Sequence, residues 1–215
     1  PAVVWLLVLP VAAMEIVLQA GALGLAGGAS GIGWRNDALQ RFALSPQMLD
    51  MMLAQGQWPL DYLSRFVTYP FVHGSLTHAV FVAVFVLALG KMVAEVFAWW
   101  AVIAVFIVSG VVAGVVYSAI PGVEPALFGG YPPVYGLIGA FTFILWARLG
   151  AVNANRYRAF SLIGTLLAIQ LVFGLIFGGG PDWIADLAGF VTGFALSFLV
   201  APGGMAHVLK VIRQR

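Results

Sequence analysis

The stretch Tyr69–Glu95, YPFVHGSLTHAVFVAVFVLALGKMVAE, decides the fold when it is read with Gly136–Ala140 (GLIGA) and Asp186–Gly193 (DLAGFVTG). Two histidines, His73 and His78, stand where a polar loop gives way to an apolar run, and Gly90, Lys91 and Glu95 close it. A helix crossing the hydrocarbon core of a bilayer needs about 20 such residues. In the other two segments glycines recur three and four residues apart, a spacing that lets membrane helices approach closely.

The rest of the chain has the same character. Hydrophobic residues make up 62% of the 215 and charged residues 8%, far from the norm for soluble domains, so most side chains must face lipid or each other within it. A formal charge of +2, with ten Lys and Arg scattered over several loops, forms no phosphate-tracking stripe and argues against nucleic acid as a partner. With no cysteine, disulfides and thiol chemistry are excluded and the redox compartment is left open. The opening apolar run has neither a basic flank nor a small-residue cleavage pattern, and is read as a first membrane helix rather than a removed signal.

Six apolar stretches predict spans at about 3–25, 71–90, 96–119, 133–149, 160–179 and 183–201, with no soluble domain and no internal repeat. Lys91, Arg148, Arg156, Arg158, Lys210, Arg213 and Arg215 fall in the 2–3 and 4–5 connections and the tail, against Arg35, Arg41 and Arg65 in the first loop. The positive-inside rule then places both termini in the cytoplasm and loop one, residues 27–70, outside. Within that loop Ser45-Pro46 reads as an N-cap with proline at the first helical position, and Gly56 as a stop. Met48, Leu49, Met51, Met52 and Leu53 lie between, so a short interfacial helix is expected near 46–55. A core-packed helix is set aside there, because the sequence offers no soluble core to receive it.

In order along the chain stand Trp34-Arg35, His73-Gly74-Ser75-Leu76-Thr77-His78, Gly90, Gly129 through Ala140 (GGYPPVYGLIGA) and Asp186-x-x-Gly189-x-x-x-Gly193. Jointly these resemble the rhomboid intramembrane protease family, across five of the six helices and the first loop. The resemblance implies an all-α membrane protein: one domain over 1–215, a six-transmembrane-helix rhomboid-like bundle with a structured outward loop between helices one and two. It also implies that helix six faces helix four. Glu95 follows Gly90 by five residues, where the family usually spaces its acid by four.

An intramembrane serine protease needs a hydroxyl nucleophile, a neutral imidazole to take its proton and donors for the oxyanion. In this chain the nucleophile's place falls on Tyr131, a bulky phenol, and the base's place falls on Asp186, too weakly basic at neutral pH. The oxyanion asparagine falls on Val82, and Pro132 and Pro133 bring no backbone N–H. Of the hydrolytic set only His78 is retained. The expectation is a catalytically degenerate, pseudoprotease-like member and no enzyme. Gly28-Ala29-Ser30-Gly31 spells the protease motif literally, but it leads from helix one into Trp34-Arg35 and is read as a flexible exit.

Other polar groups need partners as well. His73 and His78 are expected to hydrogen-bond loop one and helix two near the outer interface; with no cysteine and only His207 elsewhere, no metal site is expected. A carboxylate within a span costs several kcal/mol or more unless neutralised or paired, so Glu15, with Gln19 one turn on, is either a candidate partner contact on helix one or a neutral acid hydrogen-bonded within the bundle. Asp186 has Tyr131 as its evident candidate partner. Gly110-x-x-x-Gly114 and Gly189-x-x-x-Gly193 are expected to serve packing inside the bundle. Trp5, Trp99, Trp100, Trp146 and Trp183 fall near helix ends, where interfacial anchoring accounts for them without a cofactor.

Relatives that have lost catalysis bind membrane clients, so the resemblance implies recognition of another protein's transmembrane helix without cutting it, for escort, retention or assembly. The expected partners are integral membrane proteins, met through their transmembrane helices, and lipid; no cofactor is expected. A fixed accessory subunit of a respiratory or photosynthetic membrane complex is the rival, suited by Glu15 on helix one. An active protease ranks behind both, and so does a proton-coupled transporter using Glu15 and Asp186, since no broken helices recur in corresponding halves. The chain carries none of the long extensions of some eukaryotic relatives, and a multi-pass protein of the bacterial inner membrane is expected.

Overall fold

The computed structural model describes residues 1–203, so His207, Lys210, Arg213 and Arg215 lie outside the described residues. Among those described there is no strand, and six helices are long and apolar enough to cross a membrane. The first, α1 (Ala2–Ala22), leads to a single turn, α2 (Gly28–Gly31), and to three short helices, α3 (Trp34–Phe42), α4 (Pro46–Gln55) and α5 (Leu60–Thr68). The other spans are α6 (Leu76–Ala94), α7 (Trp99–Ser118), α8 (Tyr131–Ala151), α9 (Ser161–Phe177) and α10 (Trp183–Val200).

Local chemistry moves three of the expected boundaries. The second span starts at Leu76 rather than near 71, because Tyr69–Phe71 forms a 3₁₀ turn around Pro70 and Ser75 caps α6, its side chain accepting from the His78 N–H at 3.2 Å. The same helix continues past Gly90 and Lys91 to Ala94. α8 begins at Tyr131 rather than at Pro133: both prolines sit in the first turn, where a missing N–H costs nothing and their fixed φ is already helical.

Glycines set the spacing around α8. A side chain at Gly193 would strike the carbonyl oxygen of Gly136, one at Gly189 the carbonyl of Pro132, and one at Gly139 the backbone of Phe190 and Phe194. Helices α8 and α10 therefore touch backbone to backbone, and the fourth and sixth spans face each other. Val82, Val86, Val102, Val105, Phe106, Leu137 and Ile138 fill the surrounding core. Gly110 lies against Pro70 and Pro133, and its carbonyl accepts from the Tyr69 hydroxyl at 2.8 Å.

Loop one is more ordered than expected. Leu44, Met52, Phe66, Tyr69, Tyr117 and Leu127 make a second, smaller core beneath it. This corrects the reading that α4 has no core to enter: Met52 is fully buried, while Met51 and Leu53 on the opposite side stay exposed. Ser45 sits in extended conformation before Pro46, but its hydroxyl donates to the Gln47 side chain rather than capping the helix. Leu44 and Leu127 form an isolated antiparallel bridge that ties the loop to the α7–α8 connection. Arg65 donates to the carbonyls of Gln40 and Ala43. The Gly28–Gly31 exit is a helical turn, its Ser30 exposed and bonded to the Gly27 carbonyl at 2.7 Å.

Candidate functional site

The starts of α6 and α8 meet at the loop-one end of the bundle. His73, 1% exposed in the extended segment before α6, accepts a hydrogen bond at Nε2 from the Gly130 N–H at 3.2 Å. An accepting Nε2 assigns the proton to Nδ1. Burial, reinforced by His78 and by Arg35 against the pull of Glu15, pushes the His73 pKa down to about 4, so the ring is neutral at physiological pH. The expected link from this histidine to loop one runs through its backbone instead, where Arg35 donates to the His73 carbonyl at 2.7 Å.

His78 meets His73 edge-on at 4.9 Å and stacks on Tyr131 at 4.8 Å. Its Nε2 is buried without a hydrogen-bond partner among the described residues. Gly129, at φ +91°, lies against the imidazole where a side chain would collide with the ring. Val82 presses on Gly130. The start of α8 is consequently poor in donors: His73 takes the Gly130 N–H, the two prolines have none, and the Val134 N–H turns back to Gly130.

Asp186, 3% exposed in the first turn of α10, corrects one expectation. Its partner is Gln170 of α9, whose amide donates at 2.7 Å, not Tyr131, which is committed to the stack on His78. The Tyr135 hydroxyl donates at 3.5 Å to the same Gln170. The amide thus stands between the carboxylate and that hydroxyl.

Of the two readings of Glu15, the structure favours the one inside the bundle, with Arg35 rather than a proton answering its charge. It lies about 10 Å from the loop-one end of α1 and is 6% exposed. Arg35 donates to both of its oxygens, at 2.6 and 3.1 Å, and Gln19 donates at 2.9 Å. The expected polar surface of Glu15 and Gln19 turns inward and receives the Trp34-Arg35 segment. Loop one, the segment leading into α6 and helix one are thereby tied at one guanidinium.

Beside Asp186 an apolar cleft of about 600 Å³ opens between α9 and α10, lined by Leu167, Leu171, Leu175, Trp183 and Leu187 with Gln170 and Asp182 as its polar residues. Asp182 accepts from the Tyr117 hydroxyl at 3.3 Å. Along α9, Ile169, Leu171, Val172, Leu175 and Ile176 are all at least half exposed. Among the described residues no cluster of three His, Asp or Glu could hold a metal ion.

Sequence reasoning missed Gln170 and the pairing of Arg35 with Glu15. Both had a signal: a lone amide in the apolar α9 stretch, and a lone acid in α1, must each find a partner. A family model described as the Rhomboid domain matches residues 61–203, from the start of α5 through α10. No curated protein matches the chain.

Proposed function

This chain belongs to the rhomboid family, and from that premise we propose that it is a proteolytically inactive member that binds the transmembrane helices of partner proteins. One observation carries the reading. At the place of the family's base, Asp186 is held by Gln170, and the same amide lines a cleft between α9 and α10 that is otherwise apolar.

Such a cleft suits a transmembrane helix better than a hydrolytic reaction. Leucines supply contact area, and the polar floor gives the partner's backbone or side chain something to bond within lipid, where such bonds are worth about 0.6 kcal/mol on average. The tyrosine, valine and prolines around α8 leave neither an activated hydroxyl nor a set of oxyanion donors, which supports the absence of acyl transfer. Escort, retention and assembly of membrane proteins all use this one contact. We place loop one outside and both termini in the cytoplasm, on the excess of Lys and Arg in the 2–3 and 4–5 connections.

A photocrosslinking residue placed at Leu175 tests the binding role. It should capture a defined integral membrane protein, while the same residue at the exposed Val17 of α1 should capture only lipid or a background common to both sites. Identical capture from the two positions would remove the reading.

A further inference from the structure

At the end of the bundle opposite loop one, the α8–α9 connection builds a second site around Trp146. The guanidinium of Arg156 lies over the Trp146 ring, 4.7 Å from its centroid, in the space that Gly150 leaves by having no side chain. An arginine stacked this way keeps its edge N–H groups available for an anion while its face is spent on the indole. No carboxylate pairs with it among the described residues, where the two ion pairs are Arg35–Glu15 and Arg65–Asp61.

Trp146 separates two hollows. On its polar side a cleft of about 500 Å³ is lined by Asn153, Asn155, Arg156 and Tyr157. On its apolar side a groove of about 490 Å³ runs along Phe97, Phe143, Ile144 and Phe198, with Arg148 among its lining residues. The neighbourhood is cationic: Lys91, Arg148, Arg156 and Arg158 belong to this end of the spans, and Glu95 is its one acid among the described residues.

We propose that this corner binds an anionic phospholipid, with the phosphate in the polar cleft against Arg156 and an acyl chain in the aromatic groove beside Trp146. A phospholipid satisfies both halves at once, because it joins a phosphate to a hydrocarbon chain at the depth where tryptophan and arginine collect. A soluble phosphate would leave the groove unexplained. A zwitterionic lipid brings the same phosphate but adds a positive ammonium, which Lys91, Arg148 and Arg158 at this end of the spans disfavour. The excess of basic groups selects a net negative headgroup, such as phosphatidylglycerol.

The full chain, purified in mixed micelles of phosphatidylglycerol and phosphatidylcholine with matched acyl chains at equal mole fraction, can be tested by native mass spectrometry. The wild type should retain phosphatidylglycerol preferentially, and Arg148→Gln/Arg156→Gln should lose that preference by roughly fivefold for each guanidinium removed. Arg41→Gln, which removes a guanidinium stacked on Phe42 in loop one, should change nothing. Excess inorganic phosphate should not displace the lipid. Equal retention of the two lipids by the wild type overturns the proposal, and that arm needs no variant to fold. Undiminished preference in a folded double variant also overturns it, and displacement by phosphate reassigns the site to a soluble anion.

Discussion

The ring of Tyr131 lies on the imidazole of His78, with 4.8 Å between centroids and 22° between planes. The phenol is held by its face and not by its hydroxyl, which makes no hydrogen bond to Asp186. Removing only the hydroxyl, in Tyr131→Phe, should therefore shift stability by no more than about 0.5 kcal/mol. Tyr131→Ala forfeits the stack and its buried area and should cost about 2–4 kcal/mol. A mechanism-based serine-hydrolase probe should label neither protein; substrate cleavage that disappears in Tyr131→Phe would falsify the inactive assignment.

Gln170 is the residue whose loss should be felt at Asp186. Gln170→Leu strands a buried carboxyl and should lower the melting temperature by the equivalent of about 1–3 kcal/mol. Asp186→Asn, which still offers a carbonyl to the Gln170 amide, should cost less. The reverse ranking in thermal melts would show that Gln170 is not the partner that matters.

Breaking the Glu15–Arg35 pair should destabilise the bundle far more than an exposed ion pair could. Glu15→Leu leaves the guanidinium uncompensated, at about 3–5 kcal/mol, whereas Glu15→Leu/Arg35→Leu should recover part of that loss. Recovery will be incomplete, because Arg35 also holds the His73 carbonyl. Co-purifying proteins should be the same for every variant that folds. A stable Glu15→Leu variant that has lost its partners would return Glu15 to an intermolecular role.

Two glycine substitutions should act in opposite directions. Gly193→Ala drives a methyl group into the Gly136 carbonyl and must part α8 from α10, costing upwards of about 1–3 kcal/mol. Gly164→Ala in α9 meets nothing within 4 Å and should be neutral or stabilise by up to about 1 kcal/mol. Melting temperatures of the two purified variants decide the matter.

Acid should weaken the fold through His73. Unfolded, its imidazole titrates near 6.5; folded, burial holds it down to about 4. Above pH 6.5 both states are neutral and the contribution is fully present. Between 6.5 and 4 only the unfolded chain takes up the proton, so stability falls with pH by a total on the order of 3 kcal/mol and then levels off. His73→Gln, with no proton to gain, should flatten that part of the stability profile. An unchanged slope in the variant would assign the acid sensitivity to another group.

Much of the architecture was legible because membrane spans announce themselves by length and apolarity alone. The glycines of α8 and α10 were legible too, since Gly136, Gly139, Gly189 and Gly193 have no other reason to share such spacing. Rotation about each helix axis was not: every face of α1 is apolar except at Glu15 and Gln19, so periodicity could not say whether the pair faces inward. Gln170 was hidden for the same reason, and with it the true partner of Asp186. The small helices of loop one depend on residues such as Met52 and Phe66 reaching Tyr69 and Tyr117, contacts between segments far apart in the chain. Their formation is a tertiary event that local propensity does not foretell.

The bridge between Leu44 and Leu127 also imposes an order on biogenesis. Leu44 leaves the ribosome long before its pairing partner, and at about 5–20 residues per second the interval lasts seconds. During it, α6 and α7 must both enter the membrane before the α7–α8 connection can reach loop one. Loop one is made early and waits without the residues that cover Leu44, Met52 and Phe66. A nascent chain arrested short of Leu127 would therefore present those side chains to proteases and chaperones, and the completed chain would withdraw them.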